Sequence, residues 1–344
     1  MDESVNGSVS QPAGATPGRS RRRIGFVIGL VLLAGAAAYL VSDPQQLKAF
    51  AGNIRHAPAW AVVIVLVGPL VNWVFVGLCL HALVRRHGLI GRGEMLALVG
   101  SAWLLNHLPM RPGLVGRIGY HAKVNNIRVR DSIEASVWSM IHGGIANAVA
   151  IGLVLVVPSD LSLERLVLVL LIPIGVFAIL AGIGSLKSVN LGYLILGLVF
   201  RSADVLVWMV RYAAAFAMLG ITITPVQIAL ITAASQIAQV IPITGGGFGF
   251  REWGVGLAAK LPSAGTTITM RTAIGADVIN RIAETVIVIP LGLICTGIVA
   301  RRFTAWNAST DAKADQELSE DQAADHAQDE DESGQPGQEQ PADQ

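Results

Sequence analysis

Residues 242–252 read PITGGGFGFRE. They follow directly on the apolar run VQIALITAASQIAQVI (226–241), in a chain of 344 residues that is 53% hydrophobic. Proline ends a helix, because it lacks an N–H and its ring clashes with the preceding turn. Glycines admit φ > 0 and let another group come close to the backbone. The next helix would then open with free N–H groups and an arginine, a combination suited to phosphate. Pro242, Gly246, Gly247, Gly249, Arg251 and Glu252 are therefore candidate substrate-binding residues, with Glu252 holding Arg251 or carrying a coupling proton. The plainer alternative is a solvated loop in which Arg251 and Glu252 pair with each other.

A second stretch has the same design. Residues 106–117 read NHLPMRPGLVGR, again after a short apolar run. Asn106 stands three residues before Pro109, as Gln239 does before Pro242; Arg117 follows Pro109 by eight residues and Arg251 follows Pro242 by nine. Asn106, Arg111 and Arg117 join the candidates.

Composition sets the environment. Only 14% of residues are charged and the mean hydropathy is +0.57, values of a polytopic membrane protein. Residues 307–344 hold 12 of the 24 acidic side chains and one of the 25 basic ones, leaving a net charge of +12 on the rest. Full-length apolar runs are expected to cross at 24–41, 59–83, 132–157, 165–184, 191–219 and 268–300. Placing the basic flanks, from RSRRR at 19–23 to Arg301-Arg302, in the cytoplasm satisfies all six crossings and puts both termini there. The runs 95–108 and 226–241 are too short to cross, and each ends in one of the two glycine motifs. They are expected to be re-entrant hairpins entering from opposite faces, the pattern of an inverted repeat. The expected fold is thus an all-α polytopic membrane protein with six to eight transmembrane helices. Residues 1–19 form a disordered tail, 20–303 the membrane domain and 304–344 an acidic disordered tail.

Ionisable groups recur within the spans. Arg201, Asp204, Trp208 and Arg211 share a helical face, as do Asp277, Arg281 and Glu284, with Arg271 earlier on the last span and Glu134 and His142 on another. Such groups face a protein interior and often mark a pathway; static pairing of Asp204 with Arg201 and of Asp277 with Arg281 is the alternative. Arg111, Arg117, Arg201, Arg211, Arg251 and Arg281 outnumber the nearby carboxylates, so an anionic ligand would balance them. Nucleotide-binding, hydrolase and metalloprotease motifs are missing from the sequence. Cys79 and Cys295 read as small apolar residues, and no metal, cofactor, nucleic acid or catalytic set is expected.

The late motif resembles the flippase-like family, also known as the lysylphosphatidylglycerol synthase transmembrane region, whose pattern is P-x-x-x-G-G-x-G-x-R-E. Pro242, Gly246, Gly247, Gly249, Arg251 and Glu252 match it. Asn106, Pro109, Arg111, Gly113 and Arg117 resemble the family's earlier N-x-x-x-P-x-R-x-G-E-x-x-R pattern, with one residue fewer before the proline and Leu114 in place of the glutamate. The resemblance implies movement of an amphiphilic lipid, a phospholipid or a polyprenyl-phosphate-linked precursor, between leaflets of the cell membrane. The aminoacyl-transferring domain of the family's synthases is not in this sequence. Two other readings stay open: an ion-coupled transporter of a small anion, and a non-transporting membrane partner of a lipid-modifying enzyme. Homo-oligomerisation is also open.

Overall fold

The computed structural model describes residues 19–333, apart from 109–110, 159–160, 241–244 and 262–267. The described residues are helical and contain no strand. Five helices are long and apolar enough to cross a membrane: α3 (Ala59–Val84), α6 (Val129–Val156), α7 (Leu163–Lys187), α8 (Val189–Met218) and the first part of α11 (Met270–Ser333). A sixth candidate is the pair α1 (Arg19–Val41) and α2 (Pro44–Arg55), bent by 87° between its arms. The architecture is that of a multi-pass helical membrane protein. Burial agrees with it: Leu168, Ile172, Ile179 and Ile183 of α7 point outward, whereas Asn72, Asp204, Arg211, Arg251 and Asp277 are buried. That inversion suits a chain whose surrounding solvent is hydrocarbon.

The sequence reading passed over α2. Asp43 caps it, its side chain accepting the Gln46 N–H at 3.1 Å, and Pro44 takes the first helical position, where its missing N–H does no harm. Beyond the apolar span, α11 continues through the acidic segment to Ser333. Residues 307–333 lack glycine and proline and are rich in alanine and acidic residues, so nothing in them breaks a helix although they cannot build a core. The chain divides into two compact units at 296/297; the sites described below lie in the first.

Two pairs of short helices complete that unit. α4 (Arg92–Leu105) packs on α5 (Pro112–Val124), and α9 (Pro225–Val240) packs on α10 (Phe250–Ala258). At 1.5 Å per residue, α4 and α9 span about 21 and 24 Å, short of the ~30 Å hydrocarbon core. Gly113 at the start of α5 lies against the main chain of Ala102 in α4, where no Cβ would fit. In the other pair Gly249 touches α1, and Trp253 of α10 donates its indole N–H to the Leu32 carbonyl at 2.9 Å. The longest contact runs between α3 and α8, which are antiparallel: Asn72 meets Asp204, Gly68 meets Arg211, and Gly197 meets Leu83.

Candidate functional site

The turns of the two helix pairs meet. The His107 ring lies edge-on to the Phe248 ring, 6.1 Å between centroids. Together they wall a cavity of about 220 Å³. Asn106, His107 and Arg111 come from the first turn, Gln239 and Val240 from the end of α9, and Gly246 from the second turn. α8 contributes Arg201 and Trp208, α9 contributes Gln236, and α11 contributes Arg281 and Glu284.

Local structure explains the odd sequence at each turn. Gly246, Gly247 and Gly249 have φ of 58°, 76° and 82°. Their positive φ turns the chain within a few residues, so that the Gly246 carbonyl meets Arg281 and the Gly249 N–H meets Glu252. In the first turn, the Asn106 side chain accepts the Leu114 N–H at 3.3 Å and so spans the turn. Gln239 instead donates back to its own helix, to the Ser235 carbonyl. Arg111 has φ 49° and ψ 57°, a left-handed conformation that is strained for a side chain with a Cβ. Pro242 lies outside the described residues.

Behind the cavity stands a buried ionic network. Arg281 donates to the Gly246 carbonyl at 2.9 Å and to Glu252 at 3.3 Å, and its guanidinium lies 4.5 Å from the Phe248 ring centroid. Glu252 also accepts the Gly249 N–H at 2.8 Å, closing the turn. Arg251 is wholly buried, donating to Asp277 at 2.8 Å and to Glu284 at 2.9 Å. The Tyr212 hydroxyl donates to the same Asp277 oxygen at 2.6 Å. Arg211 donates to Asn72 at 2.9 Å, and Arg211 and Arg251 lie 4.1 and 4.9 Å from the Trp208 ring centroid. Asp204 accepts from Asn72 and from Arg201, both at 2.6 Å.

The expected pairings change accordingly. Arg251, not Arg281, is the partner of Asp277, and Arg281 pairs with Glu252. Of the six arginines expected to serve an anion, Arg111, Arg201 and Arg281 face the cavity. Arg251 and Arg117, the two first assigned to phosphate, do not line the cavity: carboxylates and Trp208 enclose Arg251, and Arg117 is buried with one N–H on the Ser136 hydroxyl at 2.8 Å. Arg271 leaves the stripe altogether to pair with Asp43 at the bend between α1 and α2. Glu134 and His142 part as well, Glu134 lying by Arg86 and His87 while His142 is buried beside Trp138.

Among the described residues, the cavity wall carries three arginines and one carboxylate. That carboxylate, Glu284, is already held by Arg251. Arg201 and Arg281 share their charge with Asp204 and Glu252, whereas Arg111 has no ion pair among the described residues. The arrangement can attract an anion and give it guanidinium donors. Sequence reasoning missed Asn72, Tyr212 and Gln236; Asn72, an amide within the apolar run of α3, is the one a polarity scan would have found. Elsewhere, ligand atoms of His87, Asp131 and Glu134 lie within 4.8 Å of one another. Arg128 and Arg86 stand 2.9 and 3.6 Å from those carboxylates, which makes the group an ionic cluster.

Comparison of the chain with protein-family models, with characterised proteins and with solved structures finds no match.

Proposed function

We propose that this protein moves an amphiphilic lipid with a phosphate-bearing head between the leaflets of the cell membrane. In this reading α4–α5 and α9–α10 are re-entrant hairpins of an inverted repeat, both termini face the cytoplasm, and the chain is a member of the flippase-like family it resembles. The head would sit against Arg111, Arg201 and Arg281 while the acyl chains stay in the bilayer.

The observation that carries this reading is the cavity itself, walled by both glycine turns and richer in arginine than in carboxylate. Its apolar edge adds to it. Met140 and Val240 line the cavity and are 41% and 48% exposed, an apolar edge beside the polar interior. A head could enter there without its tails leaving hydrocarbon.

The test is lipid translocation in proteoliposomes, with Arg111→Gly as the variant. Wild type should accelerate transfer of a labelled phospholipid over protein-free vesicles. Arg111→Gly removes a charged donor worth about 1.5–3 kcal/mol, so the rate should fall about 10- to 100-fold. The same change relieves the left-handed backbone at 111, so thermal stability should be kept or rise by up to ~1 kcal/mol, which separates lost function from lost fold. Wild-type vesicles that leave lipid where it was but take up inorganic phosphate would replace this proposal with transport of a small anion.

A further inference from the structure

A second groove lies apart from the central cavity, between α3 and α8. Its volume is about 420 Å³. Leu78 and His81 of α3 and its C-cap Arg85 line one side, and Tyr193, Leu196 and Phe200 of α8 the other, each set at intervals of three and four residues and hence on one face. Ile90 and Arg92, on the connection into α4, close one end, and the His81 ring fixes that connection by donating to the Ile90 carbonyl at 3.2 Å.

The groove is graded along its length. Because α3 and α8 are antiparallel, Tyr193 stands level with Arg85 and Phe200 level with Leu78. Arg85 and Arg92 therefore mark one end and Leu78, Leu196 and Phe200 the other, about 10 Å further along the helix axis. No carboxylate lines the groove, and neither arginine has an ion pair among the described residues. The basic end lies where α3 stops and a tyrosine sits, a headgroup-level combination; the other end lies within the apolar span.

We infer that this groove is a binding site for one anionic phospholipid, its phosphate on Arg85 and Arg92 and an acyl chain along Leu78, Leu196 and Phe200. The inference needs membrane insertion but not transport, and it stands whether or not the central cavity moves lipid.

Native mass spectrometry of the full chain in mild detergent, supplied with phosphatidylglycerol or with phosphatidylcholine of the same acyl chains, tests it. Wild type should retain one phosphatidylglycerol in preference to phosphatidylcholine. Arg85→Gln with Arg92→Gln should weaken phosphatidylglycerol about 30-fold, roughly fivefold per arginine at the membrane surface, and so erase the preference. Leu196→Trp, which fills the apolar trough and keeps both charges, should weaken both lipids. Gly116→Ala, which lines neither cavity and leaves the added carbon with nothing within 4 Å, should leave the preference in place. Raising salt on unaltered protein should also reduce the preference, a check that does not depend on how the variants fold. Equal retention of the two lipids by wild type, an unchanged preference in the double variant, or displacement of phosphatidylglycerol by inorganic phosphate alone would overturn the assignment.

Discussion

Arg251→Ala is expected to deplete folded protein rather than to give a stable, slow transporter. Arg251 is wholly buried and is the shared partner of Asp277 and Glu284. Truncation leaves both carboxylates without their shared cation, and it strips one cation from the Trp208 ring. Breaking a buried ion pair from one side costs about 3–5 kcal/mol, a large share of the ~5–15 kcal/mol that holds a typical fold. Thermal unfolding in detergent and the yield of monodisperse protein measure the effect. The mechanism makes a further demand: Asp277→Asn or Glu284→Gln in the Arg251→Ala background should restore part of the loss, with a coupling above about 1 kcal/mol. An Arg251→Ala protein as stable as wild type, or strictly additive variants, would show that the network is not what holds α10 to α11.

Gly249→Ala should destabilise by about 4 kcal/mol. Two effects add. With φ at 82° and ψ at −51°, residue 249 occupies backbone space that side chains avoid, at about 1–3 kcal/mol. An added Cβ would also clash with the Leu32 Cβ and stand 2.8 Å from the Gly29 carbonyl oxygen, so α1 would have to move, at about 1–3 kcal/mol more. Gly116→Ala is the control. Gly116 is inside α5 with nothing within 4 Å of the added carbon, so stability should hold or rise by about 0.5–1 kcal/mol. If the two variants unfold at the same temperature, the close approach of the second turn to α1 is not a feature of the folded protein.

Periodicity made the long spans legible. Apolar runs of 18 or more residues have few alternatives to a crossing helix, and five of the six expected crossings correspond to helices long and apolar enough to span; α1–α2 is the bent sixth candidate. The glycine turns were legible as turns because proline and glycine act through local sterics. What each arginine does was not. Arg251, Arg281 and Arg111 are alike in sequence, each close to a glycine or a carboxylate in spacing, yet one is enclosed, one is shared and one is unpaired. That division depends on which helices are neighbours, and the pairing of Asp277 with Arg251 across 26 residues overrides the local choice of Arg281 four residues away. In the acidic tail, composition reports whether a segment can build a core, not whether it can coil, and nothing in 307–333 breaks a helix.

Both natural thiols are sealed in the interior, Cys79 at 0% and Cys295 at 3% exposure. Water-borne maleimides should therefore pass them by. A cysteine placed at Leu89, 78% exposed between α3 and α4, or at Leu261, 51% exposed after α10, would then be the sole reactive sulfur on the molecule. The unaltered chain supplies its own blank for accessibility mapping, and the side of the bilayer on which each of these connections emerges can be determined one position at a time, without first removing the native sulfurs.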